Sequence, residues 1–79
     1  MINSSKFTYH KPTNTFSIED SEFGLYNRNL FDMVSERTGE VATFQHIDTK
    51  FDAEGDLISW HYVCVSEIGK GIKVVIFND

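Results

Sequence analysis

A single cysteine, Cys64, stands in these 79 residues, so no disulfide forms within the chain and stability must come from packing. One proline, Pro12, and five glycines give the backbone few preset breaks. Positive charge is scarce, with seven Lys and Arg against twelve Asp and Glu and a formal net charge of -5. That balance opposes the phosphate attraction on which nucleic-acid binders rely, so nucleic acid is disfavoured as a ligand and anionic lipid is repelled. No apolar run exceeds that of Val74 to Phe77, far short of the roughly 20 residues that cross a bilayer, so no membrane association is expected. The opening stretch Met1 to Lys6 lacks the apolar core of a signal peptide, and with the lone thiol this makes a reducing cytoplasm the expected compartment.

What is present is apolar and aromatic. Hydrophobic residues make up 41% of the chain and aromatics 14%, against 24% charged, a globular composition in which each core position buries a large area. The length suits a single domain over residues 1–79. A chain this short buries only about 60% of its unfolded surface, so modest stability is expected and a homodimer stays open.

Gly39, Gly55, Gly69 and Gly71 punctuate segments rich in Val, Ile, Thr, Phe, Tyr and Trp, which is strand composition at strand length. Strands are expected at Lys6 to His10, Thr15 to Glu19, Asn29 to Glu36, Val41 to Phe51, Leu57 to Ser66 and Ile72 to Phe77. Lys11-Pro12-Thr13-Asn14 reads as the turn of a hairpin, since proline presets one dihedral and asparagine tolerates a positive one. Between Asp20 and Arg28, Ser21 is a cap and Phe23, Tyr26 and Leu30 fall at helical spacing, but Gly24 and the short length limit this to a helical turn or a loop. The expected fold is mainly β, with β-rich α+β as the variant: an antiparallel meander of five to six strands, curled into a small barrel or folded-over sheet.

Register follows from turn chemistry. Glu54-Gly55 as the central pair of a tight primed turn sets Phe51 against Ile58, Thr49 against Trp60, Ile47 against Tyr62 and Gln45 against Cys64. The opposite face then carries Lys50 with Ser59, Asp48 with His61, and His46 with Val63. Thr38-Gly39 as a second turn centre sets Met33 against Phe44 and Phe31 against His46. Both faces of this sheet need cover, and Ile72 to Phe77, apolar at nearly every position, reads as a strand interior to the sheet; as an uncovered edge it would instead pair with a second chain.

No motif carries catalysis. His46, Asp48 and His61 share a face in this register, which suits a zinc ligand set, but a fourth ligand is missing and a solvated Asp48 with His61 pair is the expectation. Asp52, Glu54 and Asp56 around Gly55 have neither the order nor the flanking helices of a calcium loop and read as a solvated hairpin tip. Glu67 to Gly71 lacks the spacing of a phosphate loop. Cys64, between Val63 and Val65, reads as a buried, inert thiol. A non-enzyme without metal or cofactor is therefore expected.

Two acidic clusters remain as partner-binding candidates. Glu19, Asp20 and Glu22 precede Phe23, Leu25 and Tyr26, placing large apolar groups beside charge in the manner of protein interfaces; Asp52, Glu54 and Asp56 form the other. Phe23, Leu25 and Tyr26 also read simply as a plug for the open end of the sheet. The functional expectation is a small acidic protein that binds a protein partner, covering a basic surface that normally holds nucleic acid, because carboxylates substitute for phosphates at Lys and Arg. The alternative is a small barrel that takes a small ligand or single-stranded nucleic acid on an aromatic face of Trp60, Tyr62 and Phe51.

Overall fold

In the computed structural model, residues 7–23, 29–34 and 38–78 are described. Six strands form one sheet: β1 (Thr8–His10), β2 (Thr15–Glu19), β3 (Leu30–Val34), β4 (Val41–Phe51), β5 (Leu57–Cys64) and β6 (Lys73–Phe77). A single helical turn, α1 (Asp20–Phe23), follows β2. The fold is mainly β, as the composition implies, and the sheet curls into a half-barrel. Gly24 to Arg28, with Leu25 and Tyr26, lie outside the described residues, as do Met1 to Lys6 and Ser35 to Arg37.

The strand order is β1-β2-β6-β5-β4-β3. From β3 to β6 the chain is an antiparallel meander. The β1–β2 hairpin then docks on β6 with β2 parallel to it, Thr15 beside Lys73 and Glu19 beside Phe77. This one parallel pair makes the sheet mixed and places β6 in its interior, where Val74 and Ile76 are fully buried. With β6 flanked by β2 and β5, the route to a dimer through that strand is closed, and among the described residues the edge strands are β1 and β3.

The first turn forms as its residues dictate. Lys11–Thr13 make a short 3-10 turn, and Asn14 takes the left-handed conformation, φ 51, with its N–H bonded to the carbonyl of Lys11. The Tyr9 hydroxyl donates to Oδ1 of Asn14 at 2.8 Å and ties the turn to β1.

The long hairpin departs from the expected register at both ends. Its loop has three residues: the Gly55 N–H bonds the Asp52 carbonyl, so Ala53 and Glu54 are the turn centre and Gly55, φ +87, follows as the left-handed residue. Two bulges then bracket the middle of the ladder, with Ile58 extra on β5 and Ile47 extra on β4. Between them Asp48–His61, Thr49–Trp60 and Lys50–Ser59 pair as expected; beyond Ile47 the partners become His46–Tyr62, Gln45–Val63 and Phe44–Cys64. Ile47, Phe51 and Ile58, which the expected register sets on one apolar face with Trp60 and Tyr62, are all exposed. β3 also pairs two residues away from expectation, Phe31 with Phe44, because the connection from Val34 to Val41 is longer than a two-residue turn; a shift of two keeps every side chain on its face.

The concave face holds the core: Ile18, Phe31, Phe44, Trp60, Tyr62, Cys64, Val74 and Ile76. Each such side chain contributes about 1.5–3 kcal/mol by leaving water. Rings close the open side of the curl. Phe16 meets Phe7 edge-on, Phe7 meets Phe23, Phe23 meets Phe31, and Phe31 stacks on Phe44 and meets Tyr62. Phe23 thus plugs the half-barrel from α1. The Trp60 indole N–H is buried and has no hydrogen-bond partner among the described residues. Gly69, φ +79, lets its loop lie over Cys64, whose thiol donates to the Ile68 carbonyl at 3.3 Å. The thiol is buried, as its valine neighbours imply.

Candidate functional site

Strand register sorts the charges by end. One row across the sheet runs Glu19, Phe77, Ser59, Lys50. Beyond it lie α1 on one side and the β4–β5 loop on the other, so the two acidic clusters meet at the same end of the half-barrel. Neighbouring strands lie about 4.8 Å apart, which puts the end of β2 roughly 10 Å from β5. The opposite row, His10, Thr15, Lys73, Val63, Gln45, leads to the other end, where Lys11, Lys70 and Lys73 lie with Glu40 and Glu67. Among the described residues the only cation near the acidic end is Lys50, and it is ion-paired with Asp48 at 2.8 Å. That contact first, and the Thr49 N–H second, hold the Asp48 carboxyl below its ordinary range.

The hairpin loop is shaped by its own carboxylate. Oδ1 of Asp52 accepts the N–H groups of Glu54, at 2.8 Å, and Asp56, at 2.9 Å. Asp52 therefore orders the loop, while Glu54 and Asp56 extend from it, exposed. Exposed Phe51, Ile58 and Phe77 lie beside them, apolar neighbours that the alternation of the sequence assigns elsewhere. Asn78 latches this end together, its backbone N–H bonding the Ile58 carbonyl and its side chain the Leu57 carbonyl.

In the other cluster Glu19 and Glu22 are exposed and Asp20 is half-buried. Asp20 lies near enough to the buried Tyr62 phenol to act on it: burial chiefly, and the Asp20 charge in addition, push the Tyr62 pKa up to about 12. Of the two readings of Phe23, interface anchor and plug of the open end, its contacts with Phe7 and Phe31 fit the plug, since the ring covers the curl. Tyr26 lies outside the described residues.

The three-residue group His46, Asp48, His61 is not gathered. The Ile47 bulge turns His46 to the concave face, where its ring contacts Tyr62 and Nε2 lies 2.7 Å from the Thr49 hydroxyl. Asp48 and His61 face each other on the convex side, and His61 Nε2 sits 2.9 Å from the hydroxyl of buried Ser59. Burial first, and Lys50 second, lower the His61 pKa. Among the described residues no group of three or more His, Cys, Asp or Glu is placed to hold a metal. The aromatic face of Trp60, Tyr62 and Phe51 expected from sequence is not presented to solvent: Trp60 and Tyr62 are core residues and of the three only Phe51, 57% exposed, faces water. A stacking platform needs accessible rings, and the curl of the sheet has buried two of the three.

No helix among the described residues is long and apolar enough to cross a membrane. Comparison of the chain with known protein families, with curated proteins and with solved structures finds no match.

Proposed function

We propose that the chain is a non-enzymatic acidic binding protein of the cytoplasm whose acidic end docks on a basic surface of a protein partner, of the kind that otherwise holds nucleic acid. The observation that carries this reading is the convergence of Glu19, Asp20 and Glu22 with Asp52, Glu54 and Asp56 at one end of the sheet, opposite the end that holds Lys11, Lys70 and Lys73. Carboxylates at such an end meet Lys and Arg in the positions that phosphates take, and the field of an acidic end with lysines at the far end orients the approach. Exposed Phe51, Ile58 and Phe77 supply apolar contact beside the charge.

The test is capture from lysate of the source organism with the tagged full chain at low and high salt, identifying what is retained. A stoichiometric protein with a basic surface, held at low salt and released as screening shortens the Debye length from about 10 Å at 0.1 M to about 3 Å at 1 M, supports the reading. The quadruple variant Glu19→Gln, Glu22→Gln, Glu54→Gln, Asp56→Asn must then lose it. Retention of the partner by that variant sinks the proposal.

A further inference from the structure

A second surface stands apart from the acidic end. β3 closes the sheet order, so one of its sides has no strand beside it among the described residues. The His46 N–H donates to the Asn29 carbonyl at 2.8 Å, which makes that pair a hydrogen-bonded one. Antiparallel ladders alternate, so Phe31 and Met33 turn their backbone groups to β4, and Leu30, Asp32 and Val34 turn theirs outward. The side chains of these same three residues share the convex face: Leu30 is 54% exposed, Asp32 is exposed and Val34 is half-buried. Val41 and Val65 continue an apolar surface next to them, 49% and 53% exposed. Asp32 interrupts it, its Oδ1 accepting the Thr43 hydroxyl at 2.7 Å.

Asp32 decides what this edge accepts. A second copy of the chain pairing along the full length of β3 would set Leu30 against Val34, a favourable match, but would also set Asp32 against Asp32. Like charges directly opposed destabilise a strand pair, and a charge in mid-edge is a device that proteins use against self-pairing. A strand with a cation at its centre turns the same residue into an attraction and keeps both apolar matches. We propose that the open edge of β3 takes an extended segment of a protein partner in which a Lys or Arg is flanked, two residues away on each side, by apolar residues: backbone bonds form to Leu30, Asp32 and Val34, and the cation faces Asp32. This does not rest on the acidic end; either surface can fail while the other stands.

The probe is a short capped peptide of alternating threonine and valine with lysine at its centre, compared with the same peptide carrying glutamate there. Each is added at up to millimolar concentration to the isotope-labelled full chain, and backbone amide shifts are followed. The lysine peptide is expected to move the amides of Leu30, Asp32 and Val34 more than those of Phe31 and Met33, and to bind about threefold to tenfold more tightly than the glutamate peptide. Asp32→Lys should reverse that order; should this variant not fold, Asp32→Asn must abolish the preference. Equal binding of the two peptides, shifts located away from β3, no shift at all, or self-association of the wild-type chain through β3 would each overturn the proposal.

Discussion

Asp52 looks like one of three equivalent surface acids, yet its geometry assigns it a different role from its neighbours. Its Oδ1 accepts two backbone N–H groups across the three-residue loop, in the way a capping carboxylate satisfies a helix start. Replacing such a cap by alanine costs about 0.5–2 kcal/mol, and two charge-assisted bonds place Asp52→Ala in the upper half of that range, about 1–2 kcal/mol. A domain of this length carries roughly 4–12 kcal/mol in total. The melting temperature should therefore fall by about 4–16 °C, since each kcal/mol moves a domain of this size by about 4–8 °C. Asp52→Asn keeps an acceptor in the same place and should recover most of the loss, whereas Glu54→Gln and Asp56→Asn should leave stability within about 0.5 kcal/mol. Urea and thermal unfolding of the four variants decide the matter. If Asp52→Ala unfolds with the wild type, or if Asp52→Asn is as damaged as Asp52→Ala, the carboxylate does not order the loop. The contrast also separates stability from binding, because Glu54 and Asp56 are the residues whose neutralisation should weaken a basic partner without loosening the hairpin.

Further outcomes follow from the core and from the titrating groups. Ile76→Ala, at a fully buried position of the strand that joins both halves of the sheet, should cost about 2–5 kcal/mol in urea unfolding. Gly69→Ala meets both a positive φ and a new contact with Ile72 Cδ1 at 3.3 Å and Cys64 Sγ at 3.4 Å; it should lower stability by about 1–3 kcal/mol, and a neutral result would refute the left-handed loop. His61 is depressed in the folded chain, so its contribution is complete above its ordinary pKa of 6.5 and is lost as pH falls through the depressed value; an imidazole titration by NMR with a midpoint at or above 6.5 would contradict its burial. Tyr62 is raised to about 12 from 10, so its contribution is complete below pH 10 and is lost as pH rises towards 12; the Tyr62 share of the phenolate absorbance, the part missing from the Tyr62→Phe variant, should appear together with unfolding.

The strand runs were legible because β-branched and aromatic composition between glycines is a local signal: Thr15–Glu19 and Val41–Phe51 occupy the expected residues. The burial of Cys64 was legible from its valine neighbours, and alternation put Tyr62 and Trp60 on its face, but that this face is the closed core and not an accessible aromatic surface depends on the curl of the sheet. Ile47 and Ile58 were misplaced because a bulge leaves no mark in the alternation, while Phe51, paired with Leu57, is exposed at the last rung before the loop; the two bulges compensate one another around three correctly paired residues. The parallel partnership of β2 and β6 joins residues 58 positions apart, and no turn chemistry encodes it. Both acidic clusters could be named from composition. That they share an end depends on that partnership, since Glu19 reaches the row of Lys50 only through Phe77 and Ser59.

The same partnership bears on how the chain is made. β2 emerges from the ribosome long before β6, and until β6 arrives the first hairpin has neither its long-range neighbour nor the Val74 and Ile76 side chains that complete the core beside Ile18. A two-stranded hairpin alone is at best marginally stable, and contacts so distant in sequence slow folding. Until β6 is made, Phe7, Phe16 and Phe23 lack part of their final cover, and a chain that stops short of Lys73 would hold two antiparallel pieces with no strand pairing between them, touching only through rings such as Phe23 and Phe31.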